Sequence, residues 1–188
     1  MRDGRQVESR TIGRESGFGL LHALGSLVSY ERVIVQVPGP ACRLPVKTLA
    51  AAVRTSPTML EEVARHAQAS IIQSAQATAC NALHDVEGRM CRWLLMTQDR
   101  LMSSQVPLTQ EHLSIMLGVQ RTTVTAVAQE LQEANLISYS RGKIRILSRE
   151  GLQRRACECY AAIENAAARM VGETEPGQYG GVGEGVHA

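Results

Sequence analysis

An α+β chain is expected from this sequence, and three observations carry that expectation. Residues 58–83 run without Gly or Pro, with Leu60, Val63, Ala67, Ile71, Ser74, Thr78 and Asn81 recurring at steps of three and four, the spacing of one helix face. Residues 109–131 carry a second apolar seam, Leu113, Leu117, Val119, Val124, Val127 and Leu131, interrupted at Gly118. Residues 136–147 alternate around Arg141-Gly142, the pattern of two short strands joined by a tight turn.

Taken in order, residues 1–55 read as strands and turns. Val33–Val37 is a compact β run closed by Pro38-Gly39-Pro40, and Ala41–Leu44 is a further strand ended by Pro45. Ser56-Pro57 then opens a helix, with Pro at the first helical position. Its stripe is thin, with small and polar residues in the lower half, and a narrow seam on a long helix suits a second copy of the chain. Asp85 marks the break. A further helix spans Val86–Leu101 and turns Val86, Met90, Trp93, Leu94 and Leu101 inward. Ser148–Met170 reads as the last helix. The Gly-rich stretch that follows has little to bury and is expected to be disordered. The domains are therefore 1–55, 56–84 (the dimerisation helix), 85–170 and a tail at 171–188.

Residues 109–131 are two short helices joined at Gly118, where a tight turn wants a residue free to take positive φ. Thr109 is a natural N-cap for the first. The second opens with Gln120, Arg121, Thr122 and Thr123, donors grouped at a helix N-terminus, which is how a recognition helix meets base edges and phosphates. A helix-turn-helix followed by a hairpin is a winged helix. Residues 137–155 hold six basic side chains, Arg141, Lys143, Arg145, Arg149, Arg154 and Arg155, against Glu150 alone, which suits phosphates flanking a groove.

Composition limits the alternatives. A net charge of +2 over 188 residues argues against a general polyanion binder. One Trp, one Phe and four Tyr make poor stacking platforms for single strands or RNA. The sequence has no apolar run of membrane-spanning length and no secretory leader, so a cytoplasmic location without membrane contact is expected. Cys42, Cys80, Cys91, Cys157 and Cys159 read as scattered, reduced thiols. Cys157 and Cys159, two apart on a helix, point to different faces and form a poor chelate. His22, His66, His84 and His112 show no metal-ligand spacing. No cofactor or metal is expected. Glu61-Glu62 falls on a solvated face, and no nucleotide loop or nucleophile motif is present. The chain is not read as an enzyme.

The order of elements resembles the Crp/Fnr family of bacterial transcription regulators. The resemblance rests on Ser56-Pro57, Asp85–Arg89, Leu108-Thr109, Gly118–Val124, Ala134–Ile137 and the wing. It covers roughly residues 14–160 and is strongest from about 56 to 150. It implies a cyclic-nucleotide-binding-type β-roll, a homodimer built on the long helix, and a C-terminal winged helix on double-stranded DNA, with RNA polymerase as a further partner. Two departures stand out. Fifty-five residues cannot supply the roll's roughly eight strands, so only its final strands, from about Val7 to Val46, are expected; a truncated reading frame and a lost sensor are both open. The nucleotide cassette of the family is also altered: Ser16–Leu20 lacks the glutamate, and Val33 follows Arg32 where a serine is usual. Cyclic AMP is not expected to bind.

The resemblance matches Arg121 to the position that reads a guanine, through O6 and N7. Thr122 and Ala126 stand where relatives often carry Glu and Arg, so the family's best-known site sequence does not transfer. Thr109, Gln120 and Thr123 are expected at phosphates, Thr125 at the recognition end, and Arg141 and Lys143 on the wing. The rival reading is an interaction module that dimerises with related regulators through the long helix and titrates them.

Overall fold

The computed structural model describes residues 6–26, 28–140 and 142–172. Arg141 and the tail from residue 173, for which a wing contact and disorder were expected, lie outside these residues. The described elements are a 3-10 turn at Leu20–Leu24, then α1 (Val46–Thr55), α2 (Pro57–Leu83), α3 (Val86–Leu101), β1 (Gln105–Val106), α4 (Gln110–Leu117), α5 (Arg121–Glu133), β2 (Ile137–Ser140), β3 (Lys143–Ile146), α6 (Arg149–Arg155) and α7 (Cys159–Gly172).

The α+β architecture stands, with its sheet in the C-terminal half. The expected N-terminal strands do not form: Val33–Val37 and Ala41–Leu44 are irregular chain, and Val46–Thr55 is a helix. The physical reason lies in pairing. A β run needs a neighbour to satisfy its backbone, and among the described residues before α1 none pairs. Val33, Ile34, Val35 and Leu44 are accordingly exposed. This segment is held to the rest by side chains instead. The Glu8 carboxylate accepts from Trp93 Nε1 at 3.1 Å, Thr11 Oγ1 at 2.5 Å and Gln36 Nε2 at 2.6 Å.

Helix α2 starts as expected. Pro57 is its first residue, and the Ser56 hydroxyl accepts from the Met59 amide at 3.3 Å. Its inward face differs from the expected stripe. Val63, Ser70, Ala77 and Cys80 are the buried positions, and they pack toward α1 and α7. Val63 is thus taken up within its own chain, whereas Leu60, Ile71 and Thr78 face outward.

The winged-helix core is organised around α3. Gly88–Thr97 are all buried, so this helix has no solvent face over almost three turns. Trp93 packs there with Leu94, Leu95, Leu113, Leu117, Val124, Leu131, Ile137 and Ile144. Inside it, the buried Arg89 donates from Nη2 to the Leu117 carbonyl at the last turn of α4. A cation there also complements the negative end of the helix dipole. The sheet has order β1-β3-β2, all antiparallel. Strand β1 was not expected. It is two residues long, too short to leave a periodic signal.

The single expected C-terminal helix is two. Helix α6 ends at Arg155, and Ala156 takes an extended conformation (φ −64°, ψ 143°) before α7 begins at Cys159. A polar clasp joins α7 back to α3. Arg149 pairs with Asp99 at 2.8 Å, and Tyr160 donates to Asp99 at 2.8 Å while accepting from Arg149 at 2.6 Å. Burial, reinforced by the bond to Asp99, pushes the Tyr160 phenol up to about 12.

Arg89→Met removes the donor and leaves the Leu117 carbonyl buried without it. Urea denaturation should show a loss of about 1–3 kcal/mol. A change under about 0.5 kcal/mol, within the range of a neutral surface substitution, would show that this bond does not hold α3 to α4.

Candidate nucleic-acid interface

Helices α4 and α5 meet through a turn in which Gly118 takes φ 65°, ψ 32°. Its amide donates to Ile115 O at 3.2 Å, and the Val119 amide donates to Ser114 O at 3.0 Å, closing the last turn of α4. A Cβ at Gly118 would also lie 3.1 Å from Val7 Cγ2. Thr109 caps α4 as expected, its hydroxyl accepting from the His112 amide at 3.2 Å. Leu113, Leu117, Val124 and Leu131 are fully buried between the helices, and Val119 is partly buried.

This packing leaves the start of α5 in solvent. Gln120 is the N-cap residue with extended backbone, and its side chain makes no capping bond. Arg121 and Thr122 are exposed beside it, and Thr123 is half-buried. Amides at that end have no helical partner of their own, so Gln120, Arg121 and Thr122 surround a locally positive helix terminus. Among the described residues Arg121 has no ion pair. Thr125 is engaged differently: its hydroxyl donates to Arg121 O at 3.0 Å and to Gln110 Oε1 at 2.9 Å, tying α5 to the first turn of α4.

The wing stands beside these helices. The Tyr139 amide donates to Gln132 Oε1 of α5 at 2.9 Å, and the Tyr139 hydroxyl accepts from the Gln110 amide at 3.4 Å. A Cβ built on Gly142, at the hairpin turn, would sit 3.4 Å from Thr109 Cγ2, so the turn lies against the α4 cap. Ile144 and Ile146 face the core while Lys143 and Arg145 alternate outward. The basic surface is smaller than the sequence count suggests. Arg149 and Arg155 turn back onto α3, each 2.8 Å from its partner, Asp99 and Glu87. Within residues 137–155, Lys143, Arg145 and Arg154 are the described exposed cations outside such pairs. Arg145 was counted in the wing charge but not among the expected wing contacts, although the strand alternation puts it on Lys143's face.

The structure thus places Thr109, Gln120, Arg121 and Thr122 at the exposed starts of α4 and α5, and Lys143 and Arg145 on the outer face of the wing. It sets the α2 positions Leu60 to Asn81 on a separate element. It also corrects the reading of the thiols. Cys80, His84, Cys157 and Cys159 converge, with their ligand atoms all within 4.8 Å of one another. Cys157 lies before α7, not on it, so the two-apart helical argument does not apply. The Cys157 thiol holds Cys80 below the usual thiol range by hydrogen bonding. Cys91 is different: burial pushes its thiol up to about 12, as suits a plain core side chain.

The geometry defines a winged helix-turn-helix. More narrowly, residues 88–155 match the model of the Crp-like helix-turn-helix domain. A transcriptional regulator of the CRP/FNR family from Thermus thermophilus is similar in structure, with 25% identity and a TM-score of 0.51; the match covers 54% of this chain and 55% of that one. FixK2 from Bradyrhizobium japonicum is similar at 14% identity and a TM-score of 0.55, over 60% of this chain and 59% of that one. The chain therefore matches little more than half the length of each, and at 14% the likeness to FixK2 is one of fold. No curated protein matches the chain.

Gly118→Ala should destabilise the domain by roughly 1–2 kcal/mol, the cost of a side chain in left-handed backbone. Thermal melts check this. An unchanged midpoint would mean the turn relaxes out of that conformation at little cost.

Proposed function

We propose that this chain is a DNA-binding transcription regulator of Crp/Fnr type that acts as a homodimer, with α5 entering the major groove. The observation that carries the reading is the exposed N-terminal end of α5, together with a wing that presents Lys143 and Arg145 and packs on the cap of α4. Arg121 reads base edges, where its planar fork suits a guanine. Gln120, Thr122 and Thr123 serve the same groove and its phosphates. Thr109 and Thr125 mainly hold the α4–α5 geometry, since their hydroxyls are already bonded within the domain. Arg141 belongs to the wing contacts by its place in the sequence.

The dimer is built on α2. Its outward positions Ala64, Gln68, Ile71, Ala75, Thr78 and Ala82 are all exposed and alternate by four and three, the period of a two-helix seam. Three alanines and a threonine let the helices approach closely, Ile71 is the one large apolar knob, and Gln68 can pair with an amide across the seam. No described helix is long and apolar enough to cross a membrane. The part of the reading that concerns RNA polymerase rests on the family resemblance alone.

Ile71→Glu should convert the dimer to monomer in sedimentation, because it places a charge where two helices exclude water. A wild-type chain that is already monomeric at tens of micromolar, when its DNA binding is intact, would remove α2 from the dimer reading.

On DNA selected by the wild type from a random pool, Arg121→Ala should cost about 1–3 kcal/mol and relax preference at one base pair. Lys143→Ala should weaken all sequences alike and lower the salt slope by about one. Half-sites should stand roughly 34–36 Å apart. Equal loss of specific and non-specific binding in Arg121→Ala would reduce that residue to a backbone contact. A dimer that binds no DNA at low salt would favour the titrating interaction module instead.

A further inference from the structure

We propose that Cys80, His84, Cys157 and Cys159 form a binding site for one thiophilic divalent cation of the zinc class. The site lies at the junction between the end of α2 and the loop before α7.

Cys80 and His84 stand one helical turn apart at the close of α2, with His84 as the C-cap residue. Cys157 and Cys159 approach from the other side, at the entry to α7. Cys80 Sγ is 3.5 Å from Cys157 Sγ, and Cys159 Sγ is 3.4 Å from His84 Nδ1. Ligands of one tetrahedral zinc, with bonds of about 2.3 Å to sulfur and 2.0–2.1 Å to nitrogen, stand roughly 3.5–3.8 Å from each other. These two pairs are already close to that spacing, and all four atoms lie within 4.8 Å of one another.

The surroundings fit the same purpose. His84 Nε2 lies 3.0 Å from Glu158 Oε1, which assigns the proton to Nε2 and turns Nδ1 toward the thiols. A carboxylate behind a ligating imidazole is the usual way to orient it. Gln76 Nε2 donates to Cys159 Sγ at 3.0 Å, a bond that stabilises a thiolate. Cys80 and Cys159 are fully buried, whereas His84 and Cys157 are half-buried, leaving an entry path. Gly88 makes the convergence possible: its carbonyl accepts from the Cys157 amide at 3.3 Å, and a Cβ there would meet that nitrogen at 3.3 Å.

Three thiolates and an imidazole favour a soft, borderline cation over magnesium or calcium. A single ion suits the spacing better than an iron–sulfur cluster, which spreads its ligands over several metal atoms. Binding displaces the thiol protons to solvent and leaves three thiolates and a neutral imidazole on the cation. The ligand pairs flank residues 86–155 in the chain. A bound ion would tie α2 to α7 and fix how the winged helix hangs from the long helix.

The full chain, stripped with a chelator under reducing conditions, is titrated with Zn²⁺ and separately with Co²⁺. One equivalent of Zn²⁺ should bind per chain, and Co²⁺ should give the intense visible bands of a tetrahedral site with thiolate-to-cobalt charge transfer. Cys80→Ser, Cys159→Ser and His84→Ala should each weaken binding more than about tenfold, Glu158→Gln by about 10–100-fold as expected behind a ligand, and Cys42→Ser not at all. Circular dichroism checks that each variant folds. His84→Cys keeps four ligands and should strengthen the cobalt–thiolate band, a change that a merely structural role would not produce. Binding well below one equivalent, an octahedral cobalt spectrum, or equal loss in Cys42→Ser would overturn the proposal. So would iron with sulfide in the purified protein, or a Cys80–Cys157 disulfide that persists under reductant.

Discussion

Helix α3 is closed to solvent over Gly88–Thr97, and the rest of the domain is arranged to satisfy that burial. A helix buried on every side meets its neighbours at once: α4 and α5 from the helix-turn-helix, β1 of the small sheet, and α6 and α7 from the C-terminal part. Its interior cation Arg89 spans from that core to the last carbonyl of α4. Desolvation lowers the Arg89 pKa from its ordinary value. Among the described residues its charge is held by a carbonyl dipole at a helix end, not by a carboxylate. The position of α4, and through the Gly118 turn that of α5, is set from the inside of the domain.

That internal control leaves the outer face of α5 with little part in the packing. Val124, Val127, Ala128 and Leu131 are committed to packing, while Gln120, Arg121 and Thr122 carry no structural bond through their side chains among the described residues. Thr125 is the intermediate case, exposed yet bonded across to α4. The wing works similarly: Ile144 and Ile146 anchor it, and Lys143 and Arg145 face outward.

The two surfaces of α2 divide in the same manner. One face, through Val63, Ser70, Ala77 and Cys80, is taken by the chain's own α1 and α7. The opposite face keeps a heptad-spaced row of mostly small residues in solvent. The four converging ligand atoms sit where the first of these faces ends, at the junction between the long helix and the loop before α7.

The elements that could be read from the residues alone are those whose signal is carried within a short stretch. The Ser56-Pro57 start of α2, the break at Asp85, whose side chain accepts from Gly88, the Thr109 cap, the Gly118 turn and the alternating wing were all legible, because caps, turns and periodicity act over three or four neighbours. Packing between distant segments settled the rest. Val33–Val37 has strand composition but, among the described residues, no strand to pair with. Arg149 and Arg155 count as wing charge until α3 supplies Asp99 and Glu87. The face of α2 that is buried depends on α7, which lies far along the chain. Cys80 and Cys159 looked scattered because coordination spacing is a property of folded distance, and the extended backbone at Ala156 that turns Cys157 off the helix leaves no periodic mark in the chain.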